Sequence, residues 1–188
     1  AVDVVEYDVP RRWAVGMIYF HIEPLESAWA EIMALAEQHW TETEEYRHGQ
    51  GFKPVYSRYA EYAACDWMFV VMVRDEGRAI GYAAMYVTPS MHTQKLVATE
   101  DTFFLLPEYR GKGLASDFVT FVEGECIRRG AVEVLFTAKA VNHVGAILEH
   151  LDYLPVAVQY AKQLSRADSA LPPDAVTESN SHVRAESP

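Results

Sequence analysis

Phe103-Phe104-Leu105-Leu106-Pro107-Glu108-Tyr109-Arg110-Gly111-Lys112-Gly113-Leu114-Ala115-Ser116 is the stretch on which the reading of this chain turns. An apolar aromatic run stops at a proline, a short loop with two glycines follows, and a helical pattern begins. Gly111 and Gly113 allow a sharp turn and let a ligand approach bare backbone. N–H groups of such a loop and of the first helical turn lack intrahelical partners, and the helix dipole adds positive potential there. Arg110 and Lys112 add formal charge beside this nest. Together they form a cradle for a pyrophosphate. A P-loop would need a Lys followed by Ser or Thr after the last Gly, and a dinucleotide fingerprint would need a third Gly; both are missing. The bland alternative is an ordinary strand-to-helix turn with two solvated cations. The full context of strand, proline, Arg-x-x-Gly-x-Ala and amphipathic helix favours the cradle.

On the N-terminal side of this loop, Leu96 to Leu106 reads as a strand stopped by Pro107. Gly113 to Arg129 reads as a helix on Leu114, Phe118, Val119, Phe121, Val122 and Ile127, with Gly130 as C-cap. Upstream, residues 67–74 and 79–87 are apolar runs joined by Asp75-Glu76-Gly77-Arg78, a hairpin signal. Residues 14–22 predict a buried first strand. Leu25, Trp29, Ile32, Met33, Leu35 and Ala36 predict an amphipathic helix from Pro24 to about Trp40. Tyr56 to Ala63 suggests a second, short helix. Downstream come a strand at 131–138, a helix at 142–151 and a final strand at 153–164. The order β-α-α-β-β-β-α-β-α-β predicts an α/β fold with a mixed sheet and helices on both faces. A single domain is expected over residues 1–164, and the aromatic-free, Ser- and Pro-containing stretch 165–188 reads as a disordered tail.

The chain has 188 residues, half of them hydrophobic, which suits one packed core. Its net charge of −11 disfavours a nucleic-acid partner held by phosphate contacts and suits a cationic one such as a protonated amine. No apolar run reaches the roughly 20 residues of a membrane span. The start of the sequence lacks signal-peptide character, and Cys65 and Cys126 read as two thiols in a reducing cytoplasm. The histidines show no metal-ligand spacing, so no metal is expected.

Arg110-Gly111-Lys112-Gly113-Leu114-Ala115 resembles the Arg/Gln-x-x-Gly-x-Gly/Ala signature of the GCN5-related N-acetyltransferase (GNAT) superfamily. The likeness extends in element order over residues 14–164, is strongest over 97–118, and is fainter upstream of 65. The aromatic strand before Pro107 also resembles members encoded by tailed bacteriophages. The resemblance implies acetyl-CoA as co-substrate. Backbone groups of Phe103, Phe104 and Leu105 would pair with the pantetheine arm. Amides of Gly111, Lys112, Gly113, Leu114, Ala115 and Ser116, after Arg110, would hold the pyrophosphate, and Asn142 would contact the coenzyme from the next helix. The strands carrying Phe104 and Phe136 would splay to admit the thioester.

Attack on a thioester needs a neutral amine, hence a base, and a donor for the developing oxyanion, such as a backbone N–H near Phe104 or Leu105. By strand alternation Asp101 shares a face with Phe103 and Leu105, while Glu100 points to the other. Asp101 is equally readable as base or as structural carboxylate, and Glu100 reads better as structural. Where many family members carry a Tyr acid, seven residues after the Asn, this chain has Glu149. Tyr153 and Tyr160 are nearby substitutes, and core packing is the commoner fate of a buried Tyr. His92 reads as a solvated loop residue, and Glu42, Glu44 and Glu45 as a wet helix face.

Three functions are open on these grounds: an acetyltransferase acting on a small-molecule or protein amine, a non-catalytic acyl-CoA-binding sensor or interaction module, and a base modifier of nucleic acid on the same fold. The acidic charge weighs against the last. A homodimer is compatible with the sequence.

Overall fold

Apolar residues crowd both sides of Glu76-Gly77, and both sides become strands, β2 (Met68–Asp75) and β3 (Arg78–Pro89). Glu76 and Gly77 both have positive φ, 49° and 88°, as the tight hairpin turn that matches strand twist requires. The computed structural model describes residues 17–48 and 51–163. Around the hairpin, β1 (Ile18–Glu23) pairs antiparallel with β2, and β4 (Leu96–Leu105) antiparallel with β3. The short β5 (Glu133–Leu135) joins β4 in parallel, giving one five-stranded mixed sheet in the order β1-β2-β3-β4-β5. Between β1 and β2 lie α1 (Leu25–Thr43), the single turn α2 (Glu45–His48) and α3 (Tyr56–Ala64). A 3-10 turn (Pro107–Tyr109) leads from β4 to α4 (Leu114–Arg128), and α5 (Val144–His150) follows β5.

Adjacent residues of a strand point to opposite faces, and Phe103 and Phe104 show which helix takes which face. Phe104 stacks on His39 of α1, with ring centroids 5.0 Å apart. Phe103 stacks on Phe118 of α4 at 4.6 Å, and Phe20 of β1 meets the same ring at 5.5 Å. Both faces of the sheet are therefore covered, which is why β2 is an unbroken apolar run, buried from Met68 to Val73. Phe118, Val119, Val122 and Cys126 give α4 its wholly buried stripe. The helix ends as its glycine indicates: Gly130 (φ 85°) donates to Ile127 and Ala131 donates to Cys126, the paired bonds of a Schellman cap.

Three expectations change. The first strand begins at Ile18, and residues 14–16 lie outside the described ones. The strand read over 131–138 shortens to three residues, because Thr137 gives its N–H to the Glu100 side chain rather than to a neighbouring strand. The final strand read over 153–164 does not form in its described part. Asp152 turns left-handed (φ 64°), Pro155 has no N–H for a ladder, and every residue from Leu154 to Gln163 is exposed. Leu164 and the tail expected over 165–188 lie outside the described residues. The observed order is β-α-α-α-β-β-β-α-β-α. The chain divides into a compact unit ending at Leu154 and a second from Pro155 onward; within the second, residues 155–163 carry no regular secondary structure.

Candidate active site

β3 and β4 pair regularly from Gly81 opposite Leu105 to Ala84 opposite Thr102, and then Met85 faces Glu100. Asp101 is the extra residue, a β-bulge that re-aims the side chains around it. Strand alternation alone would group Asp101 with Phe103 and set Glu100 on the opposite face; the bulge overturns this. Asp101 lies on the α1 side, where its charge adds to burial in raising the phenols of Tyr59, Tyr82 and Tyr86. Glu100 turns toward the end of β5, where its Oε2 accepts the Thr137 N–H at 3.1 Å. Both carboxylates line one cavity of about 480 Å³ between α1, the sheet and the residues leading into α5.

Burial governs the protonation of this cavity. Glu100 is pushed up to about 7, chiefly by desolvation; the Thr137 N–H and Lys139 oppose the rise, and the Asp101 charge reinforces it. Asp101 keeps solvent access through the cavity, yet the surrounding protein still raises its carboxyl, with Lys139 pulling the other way. His39 also lines the cavity and is driven down to about 4, first by desolvation, so its imidazole is neutral near pH 7. Its Nδ1 shares a hydrogen bond with the Tyr82 hydroxyl at 3.2 Å. Lys139 pairs with Glu44 from the end of α1, joining the two walls of the cavity.

Pairing between β4 and β5 ends at Thr99 and Leu135, and beyond that point the strands separate, with Phe103 and Phe136 meeting edge to face at 5.7 Å. At the far end of β4 the glycine loop takes the conformation its sequence requires. Gly111 (φ 77°) and Gly113 (φ 85°) are both left-handed, and a side chain at Gly111 would point into open space. Ser116 and Asp117 already donate to the Gly113 carbonyl, so the amides just before them are the ones a helix start leaves for an external acceptor. Such a loop can hold an anion.

Arg110 ties the start of that loop to β4 and α1. Its Nε donates to the Leu105 carbonyl at 2.7 Å, its terminal nitrogens grip both oxygens of Glu42 on α1, and its guanidinium lies 5.3 Å from the centre of the Phe104 ring. Glu42, read from sequence as part of a wet helix face, is thus the partner that fastens α1 to the loop. Tyr109 fastens the other side by donating its hydroxyl to Asp75 at 2.8 Å. Lys112 is exposed; Ala115 and Ser116 are half-buried, and Leu105 and Leu114 belong to the core. Asn142 lines the cavity, and its Oδ1 accepts the Val144 N–H at the start of α5.

Tyr153 is not among the residues lining the cavity. Its ring meets Phe136 edge to face, and its hydroxyl is buried and pushed to higher pKa, first by desolvation and then by Glu123. His92 is exposed in the loop after β3. Among the described residues no cluster of three or more His, Cys, Asp or Glu side chains could hold a metal ion.

Sequence reading did not single out His39, Tyr82, Lys139 or the aromatic wall formed by Trp29, Trp40 and Phe52. One signal was available: Trp29, Ile32, Met33, Ala36, His39, Trp40 and Thr43 continue a single helical stripe, so His39 belonged to the inward face.

A five-stranded mixed sheet with a bulged β4, a glycine loop opening the following helix and a β5 that parts from β4 defines a GNAT-like acyltransferase fold. Residues 29–148, well over half of the chain, match the family model described as "Acetyltransferase (GNAT) family", and the chain belongs to that family, whose general activity is acetyl transfer from acetyl-CoA. A comparison with curated proteins returns no match. Solved structures share the fold at low identity. An aminoglycoside acetyltransferase from an uncultured soil metagenomic sample, in complex with sisomicin, has TM-score 0.63 and 12% identity over 79% of this chain and 97% of its own. The ribosomal-protein-alanine N-acetyltransferase from Brucella melitensis biovar Abortus has TM-score 0.58 and 19% identity over 79% and 99%. A predicted acetyltransferase from Clostridium acetobutylicum with acetyl-CoA has TM-score 0.59 and 11% identity over 78% and 96%. Among the described residues no helix is long and apolar enough to cross a membrane.

Proposed function

We propose that the chain transfers the acetyl group of acetyl-CoA to a primary amine bound in the cavity, with Glu100 as general base. The observation that carries this reading is the bulge at Asp101, which brings two carboxylates into one cavity beside the point where β4 and β5 part. In this reading the amides from Gly111 to Ala115, left free by the bonds that Ser116 and Asp117 make to Gly113, hold the coenzyme diphosphate. Backbone groups of Phe103 to Leu105 run alongside the pantetheine arm, and Asn142 borders it from α5. Arg110 shapes the loop through Leu105 and Glu42 and contributes no side-chain contact to the diphosphate.

The amine arrives as an ammonium drawn by Asp101. Glu100, raised to about 7, is well matched to accept its proton near neutral pH. The neutral nitrogen then bonds to the acetyl carbonyl carbon, the carbon–sulfur bond breaks with its electron pair leaving on sulfur, and the second proton of the nitrogen passes to the departing thiolate. A thiolate with an ordinary pKa near ~8.5 is a competent leaving group, so the chemistry does not require Tyr153 as an acid.

The solved relatives are described with unrelated acceptors, an aminoglycoside and a ribosomal-protein alanine, so the fold leaves the acceptor open. The test is thiol release from acetyl-CoA across a panel of amines at pH 6 to 9. Turnover with at least one amine, rising with pH through about 7, is expected. Coenzyme binding without acyl transfer to any amine would refute the enzymatic reading in favour of an acyl-CoA-binding module.

A further inference from the structure

We infer that the acceptor is a primary amine with a single positive charge on an apolar, ring-sized body, and not a hydroxyl-rich polycation. The inference rests on the acyltransferase reading above and concerns the same cavity. Its lining is largely apolar, with aromatic rings among the aliphatic side chains. Trp29 from α1 meets Tyr59 of α3 at 5.6 Å, and Trp40 meets Phe52 of the loop before α3 at 5.8 Å. Ile32 and Met33 fill the helix face between the two tryptophans. These residues bury an apolar body at roughly 25 cal/mol per Å², and rings of this kind also favour a nearby cation.

Polar side chains lie on several elements, among them Thr43 on α1 and Thr137 and Asn142 after β5. Paired acidic groups are more restricted: Glu100 and Asp101 lie along the bulged strand, and among the described lining residues no second acidic cluster faces them. Glu44 is matched by Lys139, so that pair adds no net charge. His39 is held neutral by burial, and Lys53, the remaining charged lining residue, is cationic and exposed at the rim. A ligand with several ammonium groups would find one anionic end, and its other charges would meet aromatic rings or Lys53. Its hydroxyls would lose water without gaining partners along the part of the wall formed by Trp29, Ile32, Met33 and Phe52, which is costly there. An apolar monoamine meets neither penalty, and its nitrogen is drawn to the carboxylate end, where β4 and β5 separate.

The experiment compares tryptamine and 2-phenylethylamine with spermidine and sisomicin as acceptors, by initial rates with saturating acetyl-CoA and by quenching of Trp29 and Trp40 fluorescence. The aromatic monoamines should show kcat/KM higher by about 100-fold. Phe52→Ala should raise KM for tryptamine by about 10-fold with little change in kcat, because the ring contacts the amine's body and not the reacting atoms. Should Phe52→Ala fail to fold by circular dichroism, Met33→Ser on α1 reads the same quantity. Equal or better turnover of sisomicin or spermidine, or a KM for tryptamine unmoved by either variant, would overturn the inference while leaving acyl transfer standing. Absence of coenzyme binding by calorimetry would bring down the acyltransferase reading, and this inference with it.

Discussion

Glu100→Gln separates what the proposed general base does for the reaction from what it does to the fold. Folding raises this carboxyl from 4.5 to about 7, so the folded protein holds the proton more tightly than the unfolded chain does. The stability linked to that proton is full below about pH 4.5 and is lost as pH rises through about 7. Each pKa unit is worth about 1.4 kcal/mol, so above pH 7 the ionised, desolvated carboxylate costs the folded state about 3 kcal/mol. Glutamine is never ionised, and its amide oxygen can still accept the Thr137 N–H that Oε2 accepts at 3.1 Å. The variant should therefore be more stable than the parent at pH 8.5, and its advantage should grow by about 2 kcal/mol between pH 5.5 and 8.5. The assay is urea denaturation of both proteins at the two pH values, with the m-value checked for constancy. Acyl transfer should fall by about 100-fold or more, within the usual contribution of a general base, and coenzyme affinity should not change. A stability difference that is the same at both pH values would refute the burial argument; full activity would remove Glu100 as base.

Other substitutions address separate parts of the account. Gly113→Glu forces a side chain into a left-handed position (φ 85°) and places negative charge at the start of α4, so coenzyme binding measured by calorimetry should be abolished. Asp101→Asn should leave coenzyme affinity intact and raise KM for the amine about 10-fold or more, since one charge-assisted contact to the ammonium is lost; an unchanged KM would remove Asp101 from acceptor binding. Gly81→Ala places a methyl 2.7 Å from the Phe104 carbonyl oxygen, which forces β3 and β4 apart. It should destabilise the protein by about 1–3 kcal/mol in chemical denaturation.

The fold was legible where a local rule is strict. The glycine pair after Pro107, the apolar stripe of α4 with Gly130 beyond it, and the Glu76-Gly77 turn all carry their conformation in residue type, and each formed where expected. Asp101 could be recognised as a candidate, but its direction could not. Its side chain faces α1 only because β4 has one residue more than β3 between Thr102 and Glu100, and a register shift leaves no mark in alternation. The partner of Arg110 was hidden for a related reason: Glu42 lies far away in sequence, and a long-range ion pair is invisible until α1 is docked. Likewise β5 ends early because a side chain, not a strand, takes the Thr137 N–H. The stretch after Leu154 alternates apolar residues well enough to read as a strand, yet Val156, Val158 and Tyr160 are 75%, 77% and 92% exposed. Pattern alone does not supply a pairing partner.

On the proposed function, the loop between Pro107 and α4 grips a diphosphate with main-chain amides. Backbone amide NMR of the protein titrated with desulfo-CoA, which keeps the diphosphate and cannot react, tests it most directly. Saturable shifts are expected at Gly111 through Ser116, and these should disappear in Gly113→Glu. Binding that moves amides elsewhere and leaves that loop unperturbed would contradict the account.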